Sequence, residues 1–256
     1  MTETETTTGF GLEMAGATHV GQLRSRNEDF LRVLPAQGLA ILADGMGGHR
    51  AGNVASQIAV EILADELTAN RGSAGELPNE DDLVLALKAA NESIRSVAKN
   101  EPECFGMGAT AVVAAFTDAR YIAAHLGDSR LYRYHDNQLE QLTEDHTLAQ
   151  QYVRQGLMSQ REAKVSAGRN MLVKGLGIEK RVAPDIVNGT LTAGELFLLC
   201  TDGLSDVVPE SNILDTLKTA AQASLQSVVD ELIRLANEHG GPDNISVILV
   251  RIDNGA

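Results

Sequence analysis

The stretch LAILADGMGGHRAG, residues 39–52, has one acid at the point where an apolar run gives way to a glycine cluster. The apolar residues LAILA predict a buried strand, yet Asp44 and Gly45 follow it directly. Asp-Gly is a common turn dipeptide, so a simple turn is one interpretation. The other is that a carboxylate and a backbone segment must both approach a third group closely, which glycine permits. The stretch alone is compatible with both.

Acids occupy the same kind of position at other predicted strand ends. Asp128 follows YIAAHLG, Asp202 follows LFLLCT, Asp243 precedes ISVILV, and the pair Glu28 and Asp29 precedes LRVL. Each site by itself is compatible with an ordinary loop. Carboxylates gathered in one domain, however, repel one another unless cations lie among them. Because this set offers only oxygen and no Cys/His spacing of the zinc type, it predicts a hard ion such as Mg²⁺ or Mn²⁺.

The composition limits the classes of function. The chain has 256 residues, 43% of them hydrophobic and 22% charged, which is typical of a soluble globular protein. Its formal net charge of −14 argues against nonspecific binding of nucleic acid or of anionic membranes. No apolar run approaches the roughly 18 to 20 residues of a membrane span, and the N-terminus resembles no secretory signal. We therefore expect a cytoplasmic protein with a disordered acidic, Thr-rich tail at residues 1–10, and with Cys104 and Cys200 as reduced thiols.

Hydrophobic periodicity predicts helices and strands in separate groups. The predicted helices lie at about residues 51–69, 81–99, 148–156, 209–220 and 224–238. Strands are predicted for LRVL, GATAVVAAF, RYIAAHLG, SRLYRYH, QLEQLT, ELFLLCT and ISVILVRI, in addition to LAILA. This order is not the regular βαβ alternation of a parallel sheet. It predicts antiparallel sheets covered by helices, an α+β fold.

Six motifs occur in a specific order: RSRNED, ADGMGGHRAG, GATAVVAAF, HLGDSRLYRY, LCTDGLSD and GPDNISVILV. With this set the chain resembles the metal-dependent protein phosphatases, the type 2C Ser/Thr protein phosphatases, over about residues 11–252. The resemblance implies a four-layer αββα sandwich, in which two antiparallel β-sheets are flanked by helix pairs and a binuclear metal site lies at one end. It also implies a single catalytic domain at residues 11–253, with a variable flap at about residues 147–170.

The resemblance assigns metal ligands to the acids. It implies that Asp44 bridges two metals and that Gly45 offers its backbone carbonyl to one of them, which would answer the question raised by the opening stretch. Asp202 and Asp243 would complete the protein ligands of the first metal.

Three further acids receive roles around these two ions. Glu28 matches the family acid near the second metal, and Asp29 matches the residue that holds metal-bound water. Asp128, together with Asp202, matches a third and weaker metal site of bacterial relatives; its alternative role is to cap the turn that follows it.

Two basic residues complete the predicted site. The family spacing places the phosphate-binding arginine five residues before Asp29, which selects Arg24 and leaves Arg26 as a solvated surface charge. His49 matches a histidine proposed as general acid for the leaving alkoxide, although it could merely hydrogen-bond within its loop. Asn244 is expected to support the loop that carries Asp243. The remaining candidates, His125, His135 and His146, carry no motif and are expected to be structural.

The implied activity is hydrolysis of phosphoserine and phosphothreonine in proteins. Two cations, Mn²⁺ or Mg²⁺, would share a water, lower its pKa and present hydroxide for direct attack on phosphorus, without a phosphoenzyme. The expected partners are phosphorylated proteins and a bacterial Ser/Thr kinase that the enzyme opposes, and the expected state is a monomer. Two other readings stay open: an inactive phosphoprotein-binding module on the same fold, and a phosphatase for a small phosphoester.

Overall fold

The computed structural model describes residues 2–5, 11–48, 51–69, 77–117 and 119–253. For residues 2–5 it describes the backbone only. The strands are β1 (Thr2–Glu5), β2 (Leu12–His19), β3 (Asp29–Leu34), β4 (Leu39–Met46), β5 (Gly108–Ala109), β6 (Ala111–Phe116), β7 (Arg120–Leu126), β8 (Arg130–His135), β9 (Gln138–Gln141), β10 (Asp185–Thr190), β11 (Leu196–Cys200) and β12 (Ile245–Ile252). The α-helices are α1 (Ala51–Ala69), α2 (Glu80–Asn100), α3 (Leu148–Arg154), α4 (Gln160–Ala163), α5 (Asp202–Ser205), α6 (Glu210–Lys218) and α7 (Leu225–Glu238). Short 3₁₀ turns cover Pro35–Gln37, Pro102–Cys104 and Thr219–Ala221.

The strands form two antiparallel sheets. One sheet has the order β1-β2-β12-β11-β8-β9, and the other has the order β10-β7-β6-β4-β3, with β5 paired to β4. Neighbouring strands are antiparallel throughout both sheets. The predicted α+β class with antiparallel sheets is confirmed.

Three clusters of buried apolar side chains separate four layers. The first cluster joins α1 and α2 to the outer face of the β10-β7-β6-β4-β3 sheet. The second joins α6 and α7 to the outer face of the other sheet, and the third fills the space between the two sheets. The arrangement is therefore the predicted αββα sandwich, with one core at each of the three interfaces between layers.

The apolar run of β4 has no polar member because both faces of this strand are covered. Leu39, Ile41 and Ala43 pack toward α1 and α2, whereas Ala40 and Leu42 pack into the core between the sheets. Successive side chains of a strand point to opposite faces, so a strand buried on both sides is apolar at every position. The same reasoning applies to residues 247–250 of β12, whose side chains alternate between the core below α6 and α7 and the core between the sheets.

Most predicted elements lie where the periodicity places them. Helix α1 has the predicted bounds, and α2, α6 and α7 differ from the predictions by one or two residues at most ends. Besides β1, two strands were not predicted: β2, which has the sequence LEMAGATH, and β10, which has the sequence DIVNGT. Alanine, glycine and asparagine have low β-propensity, so only the pairing with neighbouring strands identifies these segments.

The predicted disordered tail at residues 1–10 differs from the structure at Thr2–Glu5. This segment forms β1, which pairs antiparallel with β2 in the register Thr2↔Ala17 to Glu5↔Met14. The edge of β2 offers unpaired backbone groups, and pairing with it does not depend on the polar side chains of the added strand. Residue 1 and residues 6–10 lie outside the described residues.

The helices and the two cysteines bear on the expectations about membrane spans and thiols. In the described ranges, no helix is both long enough and apolar enough to cross a lipid bilayer. Cys104 is half-buried and Cys200 is buried, and both are free thiols.

Candidate metal centre

Asp29 and Asp44 lie opposite each other on the neighbouring strands β3 and β4. They are direct partners in the β3–β4 register, and Asp44 lies inside β4 rather than beyond its end, because β4 continues to Met46. Like charges at directly opposed positions destabilise a strand pair. The pair is therefore costly unless something compensates its charge.

Asp29 connects the two sheets. Its Oδ2 accepts hydrogen bonds from Ser246 Oγ at 2.6 Å and from Thr201 Oγ1 at 3.0 Å, and both donors belong to the opposite sheet or its rim. Its Oδ1 is buried and has no hydrogen-bond partner among the described residues. Burial raises the pKa of Asp29 to about 7, even though both hydroxyl groups favour the ionised form.

The backbone of Asp44 is held by one threonine. The Asp44 N–H donates to Thr110 Oγ1 at 3.0 Å, and the Thr110 N–H donates to the Asp44 carbonyl oxygen at 2.8 Å. Thr110 Oγ1 also lies 2.7 Å from Ser129 Oγ, beside Asp128. This chain of contacts links the β4 acid to the turn between β7 and β8.

The glycines that follow the acids lie against other backbone segments. A Cβ atom on Gly45 would come within 2.0 Å of the Gly52 carbonyl oxygen at the start of α1, and within 2.6 Å of the Glu28 carbonyl oxygen. At Gly203, directly after Asp202, a Cβ atom would come within 1.9 Å of the Asn244 carbonyl oxygen. Both Asp-Gly pairs therefore allow close backbone approach, which supports the second interpretation of the opening stretch.

Asp202 begins the short helix α5 immediately after β11. Its Oδ1 is buried and lacks a hydrogen-bond partner within the described ranges. Burial, followed by the charges of Asp206 and Asp243, raises the pKa of Asp202 to about 6. A buried carboxylate oxygen without a donor is costly in a protein interior, so it marks a position where a cation would be stabilised.

Asp243 lies in the loop before β12 and contacts the predicted phosphate-binding arginine. Its Oδ2 accepts a hydrogen bond from Arg24 Nη2 at 2.7 Å, and its Oδ1 accepts the Asn244 N–H at 2.8 Å. The structure thus brings Arg24 to the acidic group. The Arg26 carbonyl oxygen accepts a hydrogen bond from Asn244 Nδ2 at 2.8 Å.

Asn244 fixes the segment that carries Arg24 and Glu28. Its Oδ1 accepts the Glu28 N–H at 2.7 Å, and its Nδ2 donates to the carbonyl oxygens of Val20 at 2.9 Å and Arg26. The side chain is buried, at 5% exposure. Asn244 therefore supports the segment around residues 20–28 as well as its own loop. Burial raises the pKa of Glu28, and the charge of Asp243 raises it further.

Asp128 lies at the turn between β7 and β8, on the wall of a cavity. Burial, and then the charges of Asp202 and Asp145, raise its pKa to about 8. The cavity has a volume of about 660 Å³ and is bordered by the β8–β9 side, the flap and the segment after α5. Its charged lining residues are Asp128, Arg130, Glu144, Asp145, Lys164, Arg169, Asp206 and Glu210.

The histidines are distributed differently from the acids. His49 lies outside the described residues. His125 and His146 are buried and stack on each other, with ring centroids 4.6 Å apart and planes inclined by 10°. His135 lies at the end of β8, where its Nε2 is 3.3 Å from Asp136.

The donors are suited to hard divalent cations. Burial and then the charges of Asp29, Asp202, Asp128 and Asp243 raise the pKa of Asp44 well above its usual range, so these five acids share one electrostatic environment. In the described ranges, no three or more His, Cys, Asp or Glu side chains already surround one point as a closed ligand set. The all-oxygen donors and the unpartnered oxygens of Asp29 and Asp202 fit Mg²⁺ or Mn²⁺.

Several supporting residues were not predicted from the sequence. Hydroxyl groups hold the acids or their backbone from distant positions: Thr201 and Ser246 at Asp29, Thr110 at Asp44, Ser129 at Thr110, and Ser56, which donates to the Glu28 carbonyl oxygen. Their only signal in the sequence is a place within or beside the acidic motifs. Arg130 and Asp145, which line the cavity with Asp128, form a bidentate ion pair with Nη2–Oδ2 and Nε–Oδ1 distances of 2.6 and 2.8 Å.

The chain is similar to a known family and to named relatives. The family model described as protein phosphatase 2C matches residues 15–249. A relative named serine/threonine phosphatase stp, from Listeria welshimeri, is 38% identical over 236 residues, which cover 91% of this chain and 93% of the relative.

Two solved structures extend the comparison to three dimensions. The S. agalactiae serine/threonine phosphatase superposes with a TM-score of 0.87 at 32% identity, covering 94% of this chain and 100% of that chain. The catalytic domain of the serine/threonine protein phosphatase PstP, in complex with two manganese ions, superposes with a TM-score of 0.82 at 34% identity, covering 95% and 99%. Sequence and fold agree, and the chain belongs to the protein phosphatase 2C family.

Proposed function

We propose that this chain is a Mn²⁺- or Mg²⁺-dependent phosphatase that hydrolyses phosphoserine and phosphothreonine in proteins. The observation that carries the proposal is the group of five mutually interacting acids at the rims of both sheets, with unpartnered oxygens on Asp29 and Asp202. The relatives are named serine/threonine phosphatases, and one was solved with two manganese ions. An anionic protein can act on an anionic substrate in this way because the cations offset the local charge.

The residues that would hold the ions are those predicted from the sequence. Asp44, Asp202 and Asp243, with the carbonyl oxygen of Gly45, are the proposed ligands of the first ion, and Asp44 would also contribute to holding the second. Two divalent cations, when bound, lower the pKa of a water molecule and stabilise charge on phosphoryl oxygens. Glu28, whose carboxylate approaches Gly52 at the start of α1, would contribute to holding the second ion.

The other polar residues bind, orient and transfer protons. The unpartnered Oδ1 of Asp29 is available to accept a hydrogen bond from water, while Thr201 and Ser246 hold its Oδ2 in place. Arg24 would bind the phosphoryl oxygens through its guanidinium group. His49 is the proposed general acid that protonates the leaving alkoxide of serine or threonine.

A single kinetic comparison tests the proposal. Phosphate release is measured from a phosphothreonine peptide and from a small aryl phosphate, with Mn²⁺ and with EDTA. We expect metal-dependent release from both substrates, reversal of EDTA inhibition by added Mn²⁺, and a higher kcat/KM for the peptide. Peptide binding without phosphate release would indicate the inactive binding module, and a preference for small phosphoesters would indicate a metabolite phosphatase.

We also propose that the enzyme acts as a monomer in the cytoplasm, on proteins phosphorylated by a Ser/Thr kinase. The high negative charge supports this, because it disfavours self-association and binding to anionic surfaces. Sedimentation at assay concentration tests the oligomeric state. A stable dimer would contradict the monomer, without affecting the proposed reaction.

A further inference from the structure

The flap, residues 147–170, is closed at its base by backbone pairing. Thr147 forms an isolated bridge with Leu172, and the Leu148 N–H donates to the Met171 carbonyl oxygen at 2.8 Å. The residue just outside this base is His146, whose carbonyl oxygen accepts the Val173 N–H at 2.8 Å. His146 therefore directly precedes the first segment of the flap base, and it is hydrogen-bonded to Val173, which directly follows the second segment.

His146 is also bonded to the residue before Asp128. Its N–H donates to the Gly127 carbonyl oxygen at 2.9 Å, and its ring Nδ1 accepts the Gly127 N–H at 3.1 Å. Gly127 has φ +103°, and a Cβ atom there would come within 2.6 Å of Thr110 Cγ2, so this turn accepts only glycine. Both backbone polar groups of Gly127 are thus satisfied by one residue at the base of the flap.

The hydrogen bonds define the tautomer of His146. Because Nδ1 accepts the Gly127 N–H, the ring proton of neutral His146 is on Nε2. Nε2 lies 3.4 Å from Asp185 Oδ2 and 3.3 Å from Lys174 Nζ, and Lys174 and Asp185 form an ion pair at 2.6 Å. Burial, followed by the neighbouring His125 and Lys174, lowers the pKa of His146 to about 4, which keeps the ring neutral near neutral pH.

His146 joins the Gly127–Asp128 turn to the flap. The turn and the flap form two walls of the cavity described above. Asp128 lies on one side, and the flap contributes Thr147, Gln150, Lys164 and Arg169 on the other. A phosphorylated peptide that reaches the acids would pass between these walls, whereas a small phosphoester would not extend to the flap. The distance between the walls therefore affects the two kinds of substrate differently.

We propose that His146 is a positioning residue that fixes Asp128 relative to the flap, and thereby controls productive binding of the peptide around the phosphorylated residue. The inference rests on the proposed phosphatase function. His146 itself touches no reacting atom; it acts through the Gly127–Asp128 turn and the base of the flap.

The test compares three variants on two substrates. His146→Leu removes the acceptor for the Gly127 N–H, whereas His146→Asn retains an acceptor oxygen near the position of Nδ1. His125→Leu is the matched control, because it removes the other ring of the stack, whose Nε2 contacts the Glu144 carbonyl oxygen at 2.9 Å and not Gly127. Each variant is assayed with the phosphothreonine peptide and with the small aryl phosphate, and its melting temperature is recorded.

We expect His146→Leu to lower kcat/KM for the peptide roughly ten- to a hundred-fold while the small substrate is hydrolysed within about two-fold of the wild-type rate. His146→Asn should recover most of the loss, and His125→Leu should lower the melting temperature without changing the ratio of the two substrates. Equal losses on both substrates, or the same substrate ratio in the two Leu variants, would make His146 a purely structural residue and overturn the inference.

A double-mutant cycle tests whether His146 acts through Asp128. If it does, the losses of His146→Leu and Asp128→Ala in peptide kcat/KM should be clearly less than additive in free energy. Additive losses would show that the two side chains act independently. Wild-type protein without phosphatase activity would contradict the proposed function itself, so the two failures are distinguishable.

Discussion

Arg24 lies between a predicted metal ligand and the place where a phosphoryl group would bind. In the structure its Nη2 contacts Asp243 Oδ2 at 2.7 Å, and 53% of its side chain is exposed. A cation on Asp243 would compete for the same carboxylate, which would leave the guanidinium free to bind the substrate. The ion pair is thus compatible with the role predicted from the sequence spacing.

Substitution of Arg24 should affect the kinetic constants more than substitution of Arg26. Arg24→Ala should raise KM and lower kcat/KM by roughly ten- to a hundred-fold, because hydrogen bonds to a charged group contribute about 1.5–3 kcal/mol. Arg26→Ala, the matched control, should change both constants little. Steady-state kinetics with the phosphothreonine peptide measures this difference. Greater sensitivity of Arg26 would mean that the assignment by spacing is wrong.

At the scale of single residues, the acids were predictable and their partners were not. Asp44 and Asp202 each precede glycine at the rim of an apolar run, which is a local pattern. The donors to Asp29, Thr201 and Ser246, are separated from it by 172 and 217 residues along the chain. Serine and threonine are common everywhere, so only the fold identifies the two that matter.

Helix α2 shows how a local signal defines an element. Asn79 Oδ1 accepts the Asp82 N–H at 3.0 Å, and Asp82 Oδ2 accepts the Asn79 N–H at 2.9 Å, which is a capping box. The strands β2 and β10 carry no comparable local signal. Helices with caps and strands with continuous apolar runs were therefore predictable, whereas strands rich in small or polar residues depended on tertiary pairing.

Loss of this cap should affect stability and not activity. Asn79→Ala should lower the free energy of unfolding by about 1 kcal/mol, because the Asp82 N–H loses its acceptor, Asn79 Oδ1, at the helix start. Asn100→Ala, at the last residue of the same helix, is the control and should change it by less than about 0.5 kcal/mol. Denaturant unfolding measures both variants. A change in kcat/KM that accompanies the loss of stability would contradict the separation of α2 from the metal centre.

For the whole molecule, the sandwich gathers acids from distant parts of the chain at one end. Gathering the acids has an energetic cost, which the pKa values reflect. Burial is the leading cause that raises the pKa of Asp29 to about 7, that of Asp128 to about 8 and that of Asp202 to about 6. The metal-free folded state then binds more protons than the unfolded state above pH 4. The stability contributed by these groups is present at low pH and is lost as pH rises through the folded-state pKa values.

This cost predicts how stabilisation by metal depends on pH. Protons and cations compete for the same carboxylates, so the rise in melting temperature caused by Mn²⁺ relative to EDTA should be larger at pH 8 than at pH 5.5. His146, whose pKa is lowered to about 4, has the opposite pH dependence but contributes equally with and without metal, so it cancels in this difference. Thermal unfolding across this range measures the effect. If the rise in melting temperature caused by Mn²⁺ is independent of pH, binding at the carboxylates with raised pKa values is contradicted.

The most direct test of the central claim is the rate of phosphate release from a phosphothreonine peptide by Asp44→Asn at saturating Mn²⁺. Asparagine keeps the shape of the side chain and removes the charge that is proposed to hold both ions. We predict a loss of roughly a thousand-fold or more, with a circular dichroism spectrum like that of the wild type, because Asp44 belongs to none of the three apolar cores. A rate equal to that of the wild type would contradict the account.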